Sequence, residues 1–247
     1  MIGHRQDSRR GFLGKALVAG AVAAAPAVGV VMKVAARPPQ EAATGKQRWG
    51  MLIDTEKCAS GCDACVRACD EEHGIRGHDR PATDARWIRK VVLRDKSTGR
   101  RSTLPLMCQH CESPPCVDVC PTGASFRRAD GIVLVDKHRC IGCRYCMMAC
   151  PYKARSFIHE ELTDQRPHAP RGKGTVESCT LCVHRVDDDS GRTTACAEAC
   201  ARDGQGAIVF GDLSDPNSRI SIERGTAPSN ELRADLGLNT GVRYRGL

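Results

Sequence analysis

The sequence predicts an α+β fold of small strands and short helices that is rich in loops and held together by covalent or metal bridges. Sixteen of its 247 residues are cysteine, whereas aromatic residues make up only 4%. That balance is typical of a protein stabilised by bridges rather than by a large apolar core. A short apolar run ending in aspartate precedes two of the cysteine-rich stretches, which indicates an internal duplication.

The cysteines form four groups of four, called here the first to fourth quartets. The second is spaced C-x2-C-x4-C-x3-C and the third C-x2-C-x2-C-x3-C, and proline (Pro121, Pro151) follows the last cysteine of each. This is the ligand pattern of two-cluster bacterial ferredoxins. The sequence therefore predicts sixteen thiolate ligands for four [4Fe–4S] clusters: Cys58, Cys62, Cys65 and Cys69; Cys108, Cys111, Cys116 and Cys120; Cys140, Cys143, Cys146 and Cys150; Cys179, Cys182, Cys196 and Cys200.

The spacing suits a cube of iron and sulfide in which each iron needs one thiolate. Three cysteines separated by two or three residues can wrap one face of the cube within a single loop. In two-cluster ferredoxins the fourth cysteine ligates the neighbouring cluster, and the proline that follows it ends the loop.

Other chemistries fit the cysteines less well. Disulfides suit an exported protein, but cysteines this close in sequence give poor bridging geometry. Zinc usually takes two separated C-x2-C pairs for each ion. Covalent haem needs C-x-x-C-H, which is absent from the sequence. His110, between two predicted ligands, is expected to be a hydrogen-bond partner or loop filler rather than an iron ligand.

The first and fourth quartets are irregular. The first is spaced C-x3-C-x2-C-x3-C, with Gly61 available to relax the wider loop, and the fourth carries thirteen residues between its second and third cysteines. The motif C-x3-C-x2-C also occurs in radical-SAM enzymes. Those enzymes need a large barrel, for which three further quartets leave no room.

The segments between the cysteines predict strands and turns. The runs MLID and VLVD each end four residues before a cysteine and are expected to be strands that enter cluster-binding loops. Residues 87–107 predict a hairpin around Ser-Thr-Gly, and Asp130-Gly131 is the turn of a second hairpin. Residues 163–175 are expected to be a linker, the insertion of the fourth quartet a solvated surface loop, and residues 213–247 a tail packed on its own domain or on a partner.

The first 36 residues form a predicted twin-arginine export leader. Residues 8–15 match S-R-R-x-F-L-x-K, and residues 16–32 are a short apolar run rich in alanine and glycine. The sequence is compatible with cleavage near Ala23 to Ala25, with cleavage at Val34-Ala35-Ala36, and with an uncleaved leader that serves as an anchor. This route exports folded proteins, so clusters inserted in the cytoplasm would reach the periplasm intact.

The net charge of +8 does not indicate nucleic-acid binding. The leader carries four of these charges, which leaves +4 for the remainder. Each bound [4Fe–4S] cluster with four thiolates adds about 2−, so four clusters would bring the protein near −4. The basic side chains therefore offset cluster charge.

The four quartets, the string CQHCESPPCVDVCPTGA and the leader resemble the exported four-cluster subunits of quinone-linked oxidoreductase complexes. This family includes electron-transfer subunits of polysulfide, dimethyl sulfoxide and formate-oxidising enzymes. Three stretches of the sequence resemble one branch of this family most closely. That branch is the DsrO-type ferredoxin-like subunits of the sulfite-reduction-associated membrane complex (DsrMKJOP). The three stretches are ADGIVLVDKHRCIGCRYCMMACPYKARSF, RGKGTVESCTLCVHR and RADLGLNTGVRYRGL, and the resemblance covers residues 50–247.

The resemblance implies two duplicated ferredoxin-like units with exchanged fourth ligands. The inner unit would be residues 107–160, and the outer unit residues 50–106 with 175–212. Neither Cys69 nor Cys200 is followed by the proline that the family pattern has. The implied ligand sets, called here sets A to D, are Cys58, Cys62, Cys65 and Cys200 (A); Cys179, Cys182, Cys196 and Cys69 (B); Cys108, Cys111, Cys116 and Cys150 (C); Cys140, Cys143, Cys146 and Cys120 (D).

The resemblance also implies a function in electron transfer without substrate chemistry. Expected partners are a quinone-reactive integral membrane subunit, a multihaem c-type cytochrome and the twin-arginine export machinery, with membrane association mainly through these partners. The alternative within this class is a subunit of a molybdenum oxidoreductase of the polysulfide, nitrite or dimethyl sulfoxide type.

Overall fold

The computed structural model describes residues 42–163, 165–188 and 193–247. The predicted leader lies outside the described residues. Within them, no helix has the length and apolar character needed to cross a bilayer.

The described residues form short elements separated by loops, as the composition predicts. The strands are β1 (Trp49–Asp54), β2 (Arg89–Arg94), β3 (Arg101–Leu106), β4 (Ser125–Arg127), β5 (Val133–Val135), β6 (Ser156–Phe157), β7 (Val176–Glu177), β8 (Ile208–Asp212) and β9 (Val242–Arg245). The helices are α1 (Ala64–His73), α2 (Pro115–Asp118), α3 (Tyr145–Ala149), α4 (Val183–Asp187), α5 (Ala195–Arg202) and α6 (Arg219–Thr226), with a 3₁₀ turn at Ala234–Leu236.

Strand β1 is the centre of a three-stranded sheet with the order β8-β1-β9. It pairs antiparallel with β8 and parallel with β9, so that Ile53 lies opposite both Ile208 and Tyr244. Tyr244 is fully buried, and its hydroxyl donates to the Pro105 carbonyl at 3.1 Å. Residues 213–247 thus contribute a buried strand to the sheet.

The predicted strands and hairpins are confirmed. The MLID run lies in β1, and the first three residues of the VLVD run form β5. Strands β2 and β3 pair antiparallel, as do β4 and β5. Gly131, in the turn between β4 and β5, has a φ of +90°, which glycine adopts without the steric cost that a Cβ brings.

Two loop predictions are confirmed only in part. The insertion of the fourth quartet begins with α4, whose Val186 is buried and whose Asp187 accepts two hydrogen bonds of 2.8 Å from Arg128. The linker predicted at residues 163–175 carries Arg171, which is 5% exposed and pairs with the fully buried Glu177 at 2.7 Å. Both segments are polar, which favours a solvated loop, but their charged residues find partners that are distant in sequence or buried.

Candidate metal centres

Helices α1 and α5 bring the first and fourth quartets together. Each helix carries two cysteines four residues apart: Cys65 and Cys69 on α1, and Cys196 and Cys200 on α5. Residues at this spacing share one helix face, and the two helices pack against each other. Thiols separated by more than 120 residues therefore meet in the core.

A small cavity lies where these quartets meet. Its cysteines are those of set A, and Lys90, Pro105 and Ile208 contribute to its wall. It thus combines three cysteines of the first quartet with the last cysteine of the fourth.

A second small cavity is lined by the four cysteines of set C. Val133, Tyr152 and Arg155 also line it. Here three cysteines of the second quartet face Cys150, the last cysteine of the third. Two separate cavities thus show the same arrangement of three local thiols and one distant thiol.

Electrostatic contacts join thiols of the other two sets. Cys69 is close enough to Cys179, Cys182 and Cys196 for their charges to raise its pKa, after burial, which is the larger cause. The charges of Cys140 and Cys120 likewise act to raise the pKa of Cys146, after burial, so these three thiols also lie close together. Cys143, between Cys140 and Cys146 in the chain, is exposed.

All sixteen cysteines lie within the described residues, and none forms a disulfide. Eleven are buried, four are half-buried and one is exposed. Burial raises the pKa of Cys65, Cys108 and Cys196 to about 12. Such thiols hold a negative charge only beside positive charges, which bound iron would supply. Four thiols around a cavity therefore fit the donor set of a [4Fe–4S] cluster.

Hydrogen bonds from the surrounding chain point at the sulfur atoms. Backbone N–H groups donate to Cys120 from Ser125 at 3.3 Å and to Cys182 from Ala195 at 3.4 Å. Partial burial acts to raise the pKa of Cys120, but the hydrogen bonds that its sulfur accepts have the larger effect. The pKa of Cys120 is therefore lowered. These donors favour thiolate over thiol at the positions where a metal ligand is expected.

Two cations near the sulfurs were not predicted from the sequence. Lys90 donates from Nζ to Cys58 Sγ at 2.8 Å, and Arg155 donates from Nη2 to Cys116 Sγ at 3.1 Å. Neither lies in a cysteine motif, and the sequence contains no signal that would distinguish them from other basic residues.

His110 accepts a hydrogen bond at Nδ1 from the Val133 backbone N–H at 3.0 Å and is 1% exposed. The expectation that it is a hydrogen-bond partner is confirmed. Burial lowers the pKa of His110 to about 3, so the ring is neutral and ties the second quartet to β5.

A histidine cluster beside the fourth quartet was also not predicted from the sequence. It consists of His73, His168 and His184, grouped around Glu72. His184 donates to the Glu72 carboxylate at 2.7 Å, and His73 Nε2 lies 3.5 Å from Cys182 Sγ. The rings of His168 and His184 lie against each other at an angle of 31°, with centroids 4.1 Å apart. The Nε2 atom of His168 is hydrogen-bonded to the Glu72 backbone carbonyl, and that of His184 to the Glu72 carboxylate. This cluster is therefore a hydrogen-bond network that supports Cys182.

Comparison with known proteins first defines the class. A family model described as a 4Fe-4S dicluster domain matches residues 100–213, which contain the second, third and fourth quartets. The protein therefore carries a [4Fe–4S] dicluster domain.

Relatives of similar length define the family. The chain is 41% identical to the "Hdr-like menaquinol oxidoreductase iron-sulfur subunit 1" of Archaeoglobus fulgidus, over 97% of this chain and 98% of the relative. It is 36% identical to a subunit of the tetrathionate reductase of Salmonella typhimurium, over 85% and 77%. It is 33% identical to the iron-sulfur cluster-binding subunit of menaquinone reductase of Nitratidesulfovibrio vulgaris, over 81% and 89%. The chain belongs to this family of electron-transfer iron–sulfur subunits of oxidoreductase complexes.

Proposed function

We propose that this protein is a non-catalytic electron-transfer subunit that holds four [4Fe–4S] clusters, one in each of the sets A to D. The observation that carries the proposal is the pair of cavities lined by the cysteines of sets A and C. Each contains three thiols from one quartet and the last thiol of another. This exchange of the fourth ligand is the arrangement of two-cluster ferredoxins.

The chain would then consist of two ferredoxin-like units. The packing of α1 on α5 and the pairing of β1 with β8 support an outer unit of residues 50–106 and 175–212. The packing of α2 on α3 and the β4–β5 hairpin support an inner unit of residues 107–160.

The bound clusters would supply one-electron carriers. The chain holds them by thiolates on short helices and the loops that precede them, and burial of eleven cysteines keeps water from most of the sulfur. Backbone N–H groups, Lys90 and Arg155 donate hydrogen bonds that offset the negative charge of the ligands. None of these roles requires a substrate pocket or a catalytic acid or base.

For the physiological role we propose a DsrO-type subunit of a sulfite-reduction-associated complex. It would relay electrons between a quinone-reactive membrane subunit and a multihaem c-type cytochrome. Two relatives, named as parts of a menaquinol oxidoreductase and a menaquinone reductase, support the quinone link. The leader motif supports a periplasmic location and twin-arginine export. Membrane association would come mainly through the partner subunits.

Iron and sulfide analysis of anaerobically purified protein, with EPR of the dithionite-reduced state, tests the cluster assignment. We expect about sixteen iron and sixteen sulfide per chain, and spectra broadened by coupling between neighbouring clusters. About four iron per chain, or zinc in place of iron, would refute the four-cluster proposal. Cleavage of S-adenosylmethionine by a protein with one cluster would instead show a radical-SAM enzyme.

Purification of the native complex tests the proposed partners. We expect a membrane subunit and a c-type cytochrome, detected by haem staining, to co-purify with this chain. Stoichiometric molybdenum in the complex would favour the molybdenum oxidoreductase alternative. Replacement of Arg9 and Arg10 by lysine should retain the protein in the cytoplasm, and normal export of that variant would contradict the proposed location.

A further inference from the structure

Arg155 is a buried cation whose contacts are sulfur atoms. It lies between α3 and β6, five residues after Cys150, and only 6% of it is exposed. Its Nη2 donates to Cys116 Sγ at 3.1 Å, and its charge also acts on Cys108 and Cys146. Because Cys116 belongs to set C and Cys146 to set D, one guanidinium lies beside two proposed clusters.

Arg155 differs from the other deeply placed arginines of the described residues. Arg171 forms two hydrogen bonds with the Glu177 carboxylate, and Arg128 pairs with Asp130 and Asp187. The Nη2 of Arg155 donates instead to the Cys116 thiol, and the guanidinium also lies within hydrogen-bonding range of the Cys146 thiol. A buried charge without a counter-charge is strongly disfavoured. Within the described residues, thiols are the groups placed to supply that counter-charge.

A [4Fe–4S] cluster bound by four thiolates carries a net negative charge, and its sulfur atoms accept hydrogen bonds. Clusters in sets C and D would therefore compensate the charge of the guanidinium and provide sulfur acceptors near its N–H groups. Addition of one electron at either site, without a proton, adds one more negative charge beside the same cation. A fixed positive charge stabilises that added charge.

We propose that Arg155 is a positioning residue shared by the two inner sites, which raises the reduction potential at both of them. This inference rests on the proposed function, because it requires clusters in sets C and D. It goes beyond that function by assigning one side chain to the energetics of two electron-transfer steps. The thiols on which the charge of Arg155 acts belong to sets C and D, not to sets A and B.

Anaerobic potentiometric titration of the holoprotein, followed by EPR, tests the proposal. The variants are Arg155→Gln, which removes the charge, and Arg155→Lys, which keeps a charge but cannot bridge two sulfurs with a fork of donors. The matched control is Arg219→Gln, which removes an exposed arginine paired with Glu223 on α6. Dithionite supplies the electrons in every titration.

We expect Arg155→Gln to make reduction about tenfold less favourable at two of the clusters, a shift of about 59 mV to lower potential for one electron. Arg155→Lys should give a smaller shift at the same two clusters, and Arg219→Gln should give none. Full iron content with unchanged potentials in Arg155→Gln would overturn the proposal, as would a shift of only one cluster. If Arg155→Gln loses iron, unchanged potentials in iron-replete Arg155→Lys would overturn it.

The iron content of the wild-type protein distinguishes a failure of the proposed function from a failure of the proposed role of Arg155. Wild-type protein without clusters at the inner sites would refute the proposed function itself. A wild-type protein with about sixteen iron, combined with unchanged potentials in both Arg155 variants, would refute only the role of Arg155.

Discussion

The ammonium group of Lys90 donates a hydrogen bond to the sulfur of Cys58, with Nζ and Sγ 2.8 Å apart. The two residues come from different parts of the fold, because Lys90 lies on β2 and Cys58 in the loop after β1. Lys90 also donates to the Ala59 carbonyl at 3.3 Å. The β2–β3 hairpin therefore supplies a positive charge to the cavity of set A.

Replacement of Lys90 by methionine should lower the reduction potential of one cluster, the one bound by set A. A hydrogen bond to a charged group contributes about 1.5–3 kcal/mol to stability. If about 1 kcal/mol of this favours the reduced state, its loss lowers the one-electron reduction potential by roughly 40 mV. EPR-monitored titration measures the shift. Lys96→Met, in the exposed turn of the same hairpin, is the matched control and should leave all potentials unchanged.

Replacement of Cys200 by serine should damage the cluster of the first quartet, not the fourth. Cys200 lines the cavity that contains Cys58, Cys62 and Cys65. We expect loss of about one iron per chain and altered EPR in the component that Lys90→Met shifts. Damage to a different component, with the Lys90-sensitive one intact, would show that each quartet keeps its own fourth cysteine.

Replacement of Gly142 by alanine should destabilise the loop of the third quartet. Gly142 has a φ of +70°, and a Cβ there would overlap the carbonyl oxygen of Gly174. The left-handed conformation alone costs about 1–2 kcal/mol for a residue with a Cβ. Thermal loss of cluster absorbance should therefore occur at lower temperature in Gly142→Ala.

Gly61, in the corresponding loop of the first quartet, provides the control for Gly142. A Cβ at Gly61 would meet no atom within 4 Å, and its φ is outside the left-handed range. Gly61→Ala should therefore behave like the wild type. Equal destabilisation by both substitutions would show that the close approach to Gly174 is not the cause.

The pairing of Glu72 with Arg185 should make stability depend on pH in the acid range. The hydrogen bond from Arg185 lowers the pKa of Glu72 from 4.5 to about 2, against the opposing effect of burial. Because the folded-state pKa is lower than the unfolded one, this stabilisation is complete above about pH 4.5 and is lost as the pH falls toward about 2.

Urea unfolding of the wild type and Glu72→Gln measures this dependence. The wild type should be more stable than the variant by a constant amount down to about pH 5, and the difference should shrink below that. Cluster loss in acid affects both proteins and so cancels in the comparison. A difference that stays constant to about pH 3 would contradict the assignment.

The sequence predicts local features of this protein well. The spacing of the cysteines predicts thiol groups that line cavities, and Asp130-Gly131 predicts a hairpin turn that the structure contains. Both depend on residues that are close in the chain. The pairing of β1 with β9 and the contact of Lys90 with Cys58 depend on distant segments, and no local pattern encodes them. The polar segments around Asp187 and Arg171 favour solvated loops in sequence, because polarity alone does not identify the partners, Arg128 and Glu177, that folding brings to them.

The exposure of Cys143 has a consequence for handling in air. Its neighbours Ile141, Tyr145 and Met148 are 67%, 54% and 64% exposed, so the thiol lies on an open part of the surface. Oxidation of a cysteine follows its exposure and thiolate character. In a holoprotein with the proposed clusters, oxygen and peroxide would reach set D first. Oxidative decay would then begin at one defined site and reach the less exposed sets later.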